Sequence, residues 1–289
     1  MSQSFSFEGI GTQWEIEIYS PITVLEIGYL EHIIKKRVEE YEHVYSRFRP
    51  DSFVNSSLLQ KGIVRLPSDS EKLFSLYKQL YTVTDGAFTP LIGQVLIDAG
   101  YDAAYSLKSK ELHSPPPWEE VAEYIFPHMI VKNPAVFDFG AAGKGHLIDF
   151  VSQIIIDQGF SEFCVDAGRD IRLISDKPIR IGLENPNNFE QAIGVATLSQ
   201  GSICASAGSR RTWGSFHHII NPHSLTSPSN ILATWVITQE ALVADALSTS
   251  LFLTPASTLI PHFSFEYLIL FADNSFEKSS AFPVELFIK

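Results

Sequence analysis

The sequence predicts an α+β fold built mainly from antiparallel sheets flanked by helices. Two observations lead to this class. Segments with alternating apolar residues and β-branched or aromatic content, which are typical of strands, outnumber helical segments. Many of them follow one another through short turns, which favours antiparallel pairing over a doubly wound parallel sheet. We expect the 289 residues to form a single domain, 1–289.

Four segments carry the apolar spacing of amphipathic helices. In the first, 25–48, apolar side chains recur at steps of three and four residues. The third helix, 146–158, ends before Gly159, a residue that readily adopts the left-handed conformation of a helix C-cap. The second helix is predicted from Ser70 to Gly86 and the fourth at 241–253.

Alternation and β-branched or aromatic content predict the strands. The region 103–133 contains three consecutive prolines, Pro115 to Pro117, and we expect it to be an irregular surface excursion. The predicted strands are 14–19, 136–139, 163–167, 179–183, 194–198, 216–220, 234–238, 267–272 and 284–288.

Composition excludes several classes of protein. The formal charge of −12 argues against binding to nucleic acid, which requires a basic surface. Cys164 and Cys204 each lie in an apolar run and are expected to be buried free thiols. The apolar runs are too short for a membrane span, and residues 1–8 lack the features of a signal peptide. As given, the chain is expected to be cytoplasmic.

A glycine-rich turn, Asp138 to Gly145, separates a predicted strand from a predicted helix. Small residues let a ligand approach the backbone, and the helix N-terminus offers free amide donors that suit a phosphate. Lys144 adds a positive charge. The turn is not a Walker loop, because Asp138 and Gly145 stand where that motif needs glycine and a hydroxyl residue. A tight structural turn without a ligand remains the alternative.

Asp245 and Thr249 lie four residues apart in the fourth helix and therefore share one face, with Ser248 beside them. Oxygen ligands of this kind suit a hard cation such as magnesium. A capping role for Asp245 at the start of the helix is the alternative.

Three histidines lie near a proline turn: His217 and His218 are in the predicted strand before it, and His223 directly follows Pro222. Their spacing fits no usual zinc motif. A single histidine that faces a polar site, as a hydrogen-bond donor or a proton shuttle, is the favoured interpretation.

Taken in order, these segments resemble the ApbE family of flavin transferases. The segment from Thr84 to Pro90 is similar to the family sequence TDGAFDP, and 138–149 is similar to DLGGIAKGYAVD. The resemblance extends from about Gly9 to Leu253. Its further segments are Ile10-Gly11-Thr12, 45–52, 166–170, 218–224 and 244–249.

The resemblance implies an ApbE-like fold, FAD as ligand and Mg²⁺ as metal. Such enzymes transfer FMN from FAD to a threonine or serine hydroxyl of an acceptor protein and release AMP, and members of the family are often exported. Asp245, Thr249 and the Ala141 carbonyl would hold magnesium, and Ser248 is a further candidate ligand. His218 and Asp245 would be catalytic, His218 by assisting proton removal. The residues that would contact FAD are Ile10, Phe48, Ala87, Phe88, Thr89, Asp138, Lys144 and His218.

Several residues depart from the family pattern, although Asp245, Thr249, Lys144 and His218 are intact. These departures favour retained flavin binding over retained catalysis. Two alternatives to the transferase therefore stay open, a FAD pyrophosphatase and a FAD-binding protein without activity. The departures are Thr89 and Asn221 for aspartate, Arg169 and Leu225 for glycine, and Ser206-Ala207-Gly208 for Thr-Ser-Gly.

Overall fold

A computed structural model describes residues 2–287 of the chain. Three of its helices are long, and none of the described helices combines the length and apolar composition needed to cross a membrane. A short 3-10 turn, Pro90–Ile92, precedes the fourth helix. The helices are α1 (Val24–Tyr45), α2 (Phe53–Ser57), α3 (Glu71–Val83), α4 (Gly93–Asp98), α5 (Trp118–Val121), α6 (Gly143–Asp157), α7 (Ala241–Ser250) and α8 (Ala256–Leu259).

Three antiparallel sheets contain all the described strands. The strands are β1 (Gln3–Gly9), β2 (Thr12–Ile18), β3 (Gly62–Arg65), β4 (Ala122–Ile125), β5 (His128–Val131), β6 (Phe163–Ala167), β7 (Asp170–Asn185), β8 (Asn188–Ala207), β9 (Thr212–Trp213), β10 (Phe216–His217), β11 (Ile231–Thr238), β12 (Glu266–Phe271), β13 (Phe276–Lys278) and β14 (Val284–Leu286). The nine-stranded sheet has the order β1-β2-β6-β7-β8-β11-β12-β13, with β14 also paired to β8. The other sheets are β3-β5-β4 and the ribbon β9-β10.

The large sheet buries apolar side chains on both faces. Trp14 and Ile16 alternate with exposed or half-buried glutamates on β2 and belong to the core shared with α1, α6 and α7. Leu173 and Leu268 belong to a second core on the opposite face. Because α6 and α7 pack side by side on the first face, residues far apart in sequence meet at their ends.

The predicted α+β class and its antiparallel sheets are confirmed. Strand 163–167 has the predicted bounds, and the long helices lie within a few residues of their predicted ends. Gly159 follows α6 with a φ of 90°, as expected for a C-cap. Cys164 and Cys204 are free thiols as expected, but only Cys204 is buried, whereas Cys164 is half-buried.

Two predicted strands differ in the structure. The segment 136–139 is extended but outside any sheet, because Asp138 N–H donates to the Pro90 carbonyl (2.7 Å) while Phe137 and Phe139 enter the core. The strand predicted at 216–220 is only β10, Phe216–His217, because the chain then turns towards Pro222.

Two further differences concern segments that were not predicted to form regular secondary structure. Strand β1 was not predicted; it pairs with β2 through a two-residue turn at Ile10 and Gly11. The expectation of an irregular excursion at 103–133 is wrong for its second half, where α5, β4 and β5 lie and Trp118 is buried. The predicted strand 284–288 corresponds to β14, and Ile288 lies outside the described residues.

Candidate functional site

One large cavity, of about 1570 Å³, opens between the glycine-rich turn, α7 and the hairpin turn of β1 and β2. Its volume exceeds the range of roughly 300–1,000 Å³ typical of small-molecule sites. All the predicted site residues except Ser248 line this cavity: Ile10, Phe48, Ala87, Phe88, Thr89, Asp138, Ala141, Lys144, His218, Asp245 and Thr249.

The glycine-rich turn is held in shape by Asp138. One oxygen of its carboxylate accepts the Gly140 amide (2.7 Å), and the other pairs with the buried Arg47 guanidinium. Helix α6 then starts at Gly143 without a side-chain cap, and the Gly143 amide donates to the Phe139 carbonyl (2.7 Å). Asp138 thus supports the turn from behind.

Helices α6 and α7 touch through Gly145. A Cβ atom at this position would overlap the Ala241 carbonyl oxygen. The close approach lets the Gly145 amide donate a hydrogen bond to Asp245 Oδ2 (2.8 Å). The glycine-rich turn and the metal-ligand candidate on α7 are therefore joined directly.

Lys144, Asp170 and Asp245 form a cluster of buried charges at the bottom of the cavity. Lys144 Nζ pairs with Asp170, which is fully buried and also accepts the Ala205 amide (2.9 Å). Burial and then the Asp170 carboxylate raise the pKa of Asp245 to about 8. Although burial opposes its charge, the carboxylates of Asp170 and Asp245 raise the pKa of Lys144 above its ordinary value. Two carboxylates and one ammonium leave a deficit of positive charge.

Hydroxyl groups on α7 and β8 lie next to this charged cluster. Thr249 faces the cavity, and its Oγ1 lies 3.1 Å from the Ser206 hydroxyl. Ser248 is fully buried, donates to the Asp245 carbonyl (2.9 Å) and contacts the same Ser206 hydroxyl (2.9 Å). The structure thus places Ser248 beneath the site, where it supports Ser206 and Thr249 and does not line the cavity.

A second link between the helices lies below the charged cluster, at Asp149 of α6. Its two carboxylate oxygens accept the amides of Ala241 (3.0 Å) and Leu242 (2.9 Å), and so cap α7. Arg172 on β7 donates to the same carboxylate (3.0 Å). Asp149 therefore fixes the start of the helix that carries Asp245.

The three histidines have separate surroundings. His217 Nε2 lies 2.9 Å from the Pro228 carbonyl, and His223 Nε2 lies 3.0 Å from the Asp85 carbonyl. His218 lines the cavity, and its Nδ1 is buried without a hydrogen-bond partner among residues 2–287. Burial, and then the charge of Arg211, lower the pKa of His218 to about 3, so the ring is neutral at neutral pH.

The histidines do not form a zinc site. Within the part of the chain that the structure describes, no three His, Cys, Asp or Glu side chains form a group that could hold a metal ion. A cation in this cavity would therefore depend on one carboxylate together with hydroxyl, carbonyl and ligand oxygens, the pattern usual for magnesium.

Ile10 lies at the rim of the cavity in an unfavourable backbone conformation. Its φ of 48° is in the left-handed region, which a β-branched residue rarely adopts. The Ile10 amide donates to Glu42 Oε1 (2.9 Å), which holds the turn against α1. Strained residues of this kind cluster at ligand sites.

Aromatic rings form one wall of the cavity. Phe48 is stacked on Tyr105 with centroids 5.6 Å apart, and Tyr101 meets both rings edge-on. Phe88, which was expected to contact FAD, is only 2% exposed and packs on Tyr77. Phe48, Tyr101 and Tyr105 all line the cavity, and Tyr105 is the most exposed of the three rings.

The 87–89 segment is fixed by hydrogen bonds of two threonines. The Thr84 hydroxyl accepts the Phe88 amide (2.9 Å), and Thr89 Oγ1 accepts the Leu91 amide (3.2 Å). Thr89 thus caps the 3-10 turn, a role that aspartate also fills in proteins.

Several residues at the cavity were not predicted from the sequence. Asp170 stood within a noted segment, but nothing local marks it as the partner of Lys144. Arg47, Tyr105 and Arg211 likewise depend on contacts between distant segments.

Comparison with known proteins identifies the family of the chain. The sequence profile of the ApbE family matches residues 10–262. A FAD:protein FMN transferase of Rhodobacter capsulatus is 26% identical over 129 residues, which cover 41% of this chain and 24% of that protein. The match therefore spans about a quarter of that relative.

Three solved structures share the fold over nearly their whole length. The ApbE protein of Thermotoga maritima has a TM-score of 0.84 at 21% identity, with coverage of 99% of this chain and 100% of that one. The flavin transferase ApbE of Vibrio cholerae has 0.81 at 18%, with 98% of each chain covered. The Pseudomonas stutzeri flavinyl transferase ApbE has 0.79 at 18%, with coverage of 98% and 96%. With the profile match extending over most of its length, the chain belongs to the ApbE family.

Proposed function

We propose that the protein is a magnesium-dependent FAD:protein FMN transferase that attaches FMN to a threonine or serine hydroxyl of an acceptor protein and releases AMP. The observation that carries the proposal is the junction of the glycine-rich turn with α7, where Lys144, Asp170 and Asp245 meet at the bottom of a cavity large enough for a dinucleotide. The names of the family members similar to this chain support it.

The charged cluster fits a divalent cation. It carries one excess negative charge when both carboxylates are ionised, and burial, followed by the Asp170 carboxylate, raises the pKa of Asp245. Asp245, Thr249 and the Ala141 carbonyl would hold the ion, while Ser248 would position Thr249 through Ser206. Magnesium bound there would offset the charge of the pyrophosphate during transfer.

Different residues of the cavity would contact different parts of FAD. Phe48, beside Tyr105, would stack on the isoalloxazine, and Ile10 would contact it from the hairpin turn. Ala87 and Thr89 would present backbone and hydroxyl groups from the 87–89 segment, where Phe88 lies mainly in the core. The Lys144 ammonium and the positive end of the α6 dipole would face the phosphates, while Asp138 would act by holding the turn.

In the reaction, the acceptor hydroxyl oxygen bonds to the phosphorus of the FMN half. The bond from that phosphorus to the bridging oxygen breaks, and AMP leaves with this oxygen. The hydroxyl proton must be taken up, and His218 is the neutral imidazole that lines the cavity with an unpaired nitrogen. Phosphate charge nearby would raise the pKa of His218 from about 3 and make it a better proton acceptor.

The departures from the family pattern are accommodated by the local structure. Thr89 caps its turn, and Asn221 Oδ1 accepts the amides of His223 (2.9 Å) and Ser224 (3.2 Å). Arg169 and Leu225 adopt φ values of 74° and 55°, the conformation that glycine would take. These observations favour the transferase over a silent FAD-binding protein.

Hydrolysis of FAD is the second candidate, because water could replace the acceptor hydroxyl in the same cavity. Incubation with FAD, Mg²⁺ and a library of peptides that contain threonine or serine separates the two. Transfer predicts peptides heavier by FMN minus one water, whereas hydrolysis predicts FMN and AMP without modified peptide.

Thr249→Val keeps the shape of the side chain and removes its oxygen, so it should abolish either activity while the fold is retained. A wild-type protein that binds FAD yet gives neither product would refute both enzymatic proposals.

A further inference from the structure

Arg211 is unlike the other cations that line the cavity. It precedes β9 and has no carboxylate within ion-pair distance among residues 2–287. The remaining cations of the lining are all paired: Arg47 with Asp138, Arg49 with Asp51, Lys144 with Asp170, Arg169 and Arg210 with Glu184, and Arg180 with Glu285.

The backbone places Arg211 beside the proposed proton acceptor. The His218 amide donates to the Arg211 carbonyl (3.1 Å), across the ribbon of β9 and β10. The ribbon is anchored, because Trp213 is largely buried and its indole N–H donates to the Ala99 carbonyl (2.7 Å). The Arg211 charge disfavours protonation of His218, as does that of Lys144, so the imidazole lies within the field of two cations.

A charge count for the loaded site leaves a place for one more cation. With Asp245 ionised against a bound cation, the cluster of Lys144, Asp170 and Asp245 carries one negative charge. One divalent cation makes the sum one positive, and the two charges of a dinucleotide pyrophosphate then make it one negative. Because unbalanced charge is costly in a partly buried site, the count favours a further positive group close to the phosphates. Arg211 supplies it.

We propose that Arg211 binds the pyrophosphate of the dinucleotide, as a specificity residue for phosphorylated ligands. The inference rests on the proposed function for its ligand. A guanidinium presents paired donors that match phosphate oxygens, and its charge is permanent at any working pH. The ligand class is a nucleoside diphosphate or its esters, and riboflavin, which has no phosphate, makes no use of Arg211.

The test compares Arg211→Gln with Arg210→Gln. The two arginines are adjacent and both line the cavity, but Arg210 shares the Glu184 carboxylate with Arg169 and lies on the Phe189 ring (4.4 Å). Binding of ADP, FAD and riboflavin is measured by calorimetry with Mg²⁺. Arg211→Gln should weaken ADP and FAD binding roughly tenfold or more and leave riboflavin unchanged. Arg210→Gln should change ADP binding less than threefold.

The outcomes separate this inference from the proposed function. Arg211→Gln that binds ADP like the wild type, or that loses riboflavin binding equally, overturns the role of Arg211 alone. Wild-type protein that binds neither ADP nor FAD overturns the proposed function and this inference together.

A second measurement needs no ligand. NMR titration of His218 in the free protein should give a higher pKa for Arg211→Gln than for the wild type, and no such rise for Arg210→Gln. An unchanged His218 pKa in Arg211→Gln would mean that the guanidinium does not face the site.

Discussion

Replacement of Asp245 by asparagine should stabilise the metal-free protein at neutral pH. The pKa of Asp245 is raised from 3.8 to about 8, so the folded protein holds a proton that the unfolded chain has lost. For a group whose folded pKa is raised, stability falls as pH increases between the two values. From pH 3.8 to pH 7 the loss is on the order of 4 kcal/mol, at about 1.4 kcal/mol per pH unit.

The amide of Asp245→Asn carries no such cost. Its oxygen can accept the Gly145 amide, and its NH₂ can donate to Asp170, which occupies the neighbouring position in the cluster. Urea unfolding with EDTA should therefore show the variant more stable than the wild type at pH 7, with the difference vanishing near pH 4. Added Mg²⁺ with FAD should stabilise only the wild type.

Asp149→Asn is the matched control, because it makes the same chemical change on the neighbouring helix. There both oxygens accept backbone amides, so an NH₂ group opposes an N–H donor. This variant should lose about 1–3 kcal/mol of unfolding free energy. If Asp245→Asn were destabilised to the same extent at pH 7, the account of the buried charge deficit would be refuted.

Three further variants test other parts of the site. Gly145→Ala should separate α6 from α7, because its Cβ would overlap the Ala241 carbonyl oxygen. We expect it to lose roughly 3 kcal/mol of unfolding free energy in urea and to lose Mg²⁺-dependent FAD binding. A variant as stable as the wild type would contradict the close packing of the two helices. Ile10→Asn should raise the unfolding free energy by about 1 kcal/mol, since asparagine tolerates a φ of 48° better than isoleucine does. It should also weaken FAD binding in a fluorescence titration. A variant less stable than the wild type would contradict the backbone strain at Ile10. Lys144→Met should cost more stability at pH 8 than at pH 5, because two carboxylates without a cation must retain protons, and a pH-independent loss would argue against the cluster.

The elements that local patterns describe well were predictable from sequence. Strand β2 alternates buried Trp14, Ile16 and Ile18 with glutamates, and α6 ends where Gly159 permits a left-handed cap. The segment 136–139 has equally apolar residues, yet it pairs with Pro90 and not with a strand. Its side-chain pattern could not reveal this, because the pattern records burial and not the backbone partner.

The site was predictable only as separate segments. The resemblance gave Lys144 and Asp245, but the third member of their cluster, Asp170, comes from β7, and its segment 166–170 was noted without a role for Asp170. The same limit applies to Arg210 and Arg211, adjacent residues of identical type. Only the position of Glu184 distinguishes the arginine with a carboxylate partner from the one without such a partner among residues 2–287.

The departures from the family pattern show why contacts, and not residue identities, decide what the site retains. Arg169 stands where glycine is usual, but Asp166 accepts its amide (2.7 Å) and holds the left-handed turn that leads into Asp170. Leu225 is held similarly, because its amide donates to the Asn221 carbonyl (2.8 Å). At both positions the surrounding bonds impose a conformation that the side chain disfavours, at a cost of roughly 1 kcal/mol or more each. Maintenance of these turns against that cost is what keeps Asp170 and the segment after His218 in place, and it favours a site that still binds its ligand.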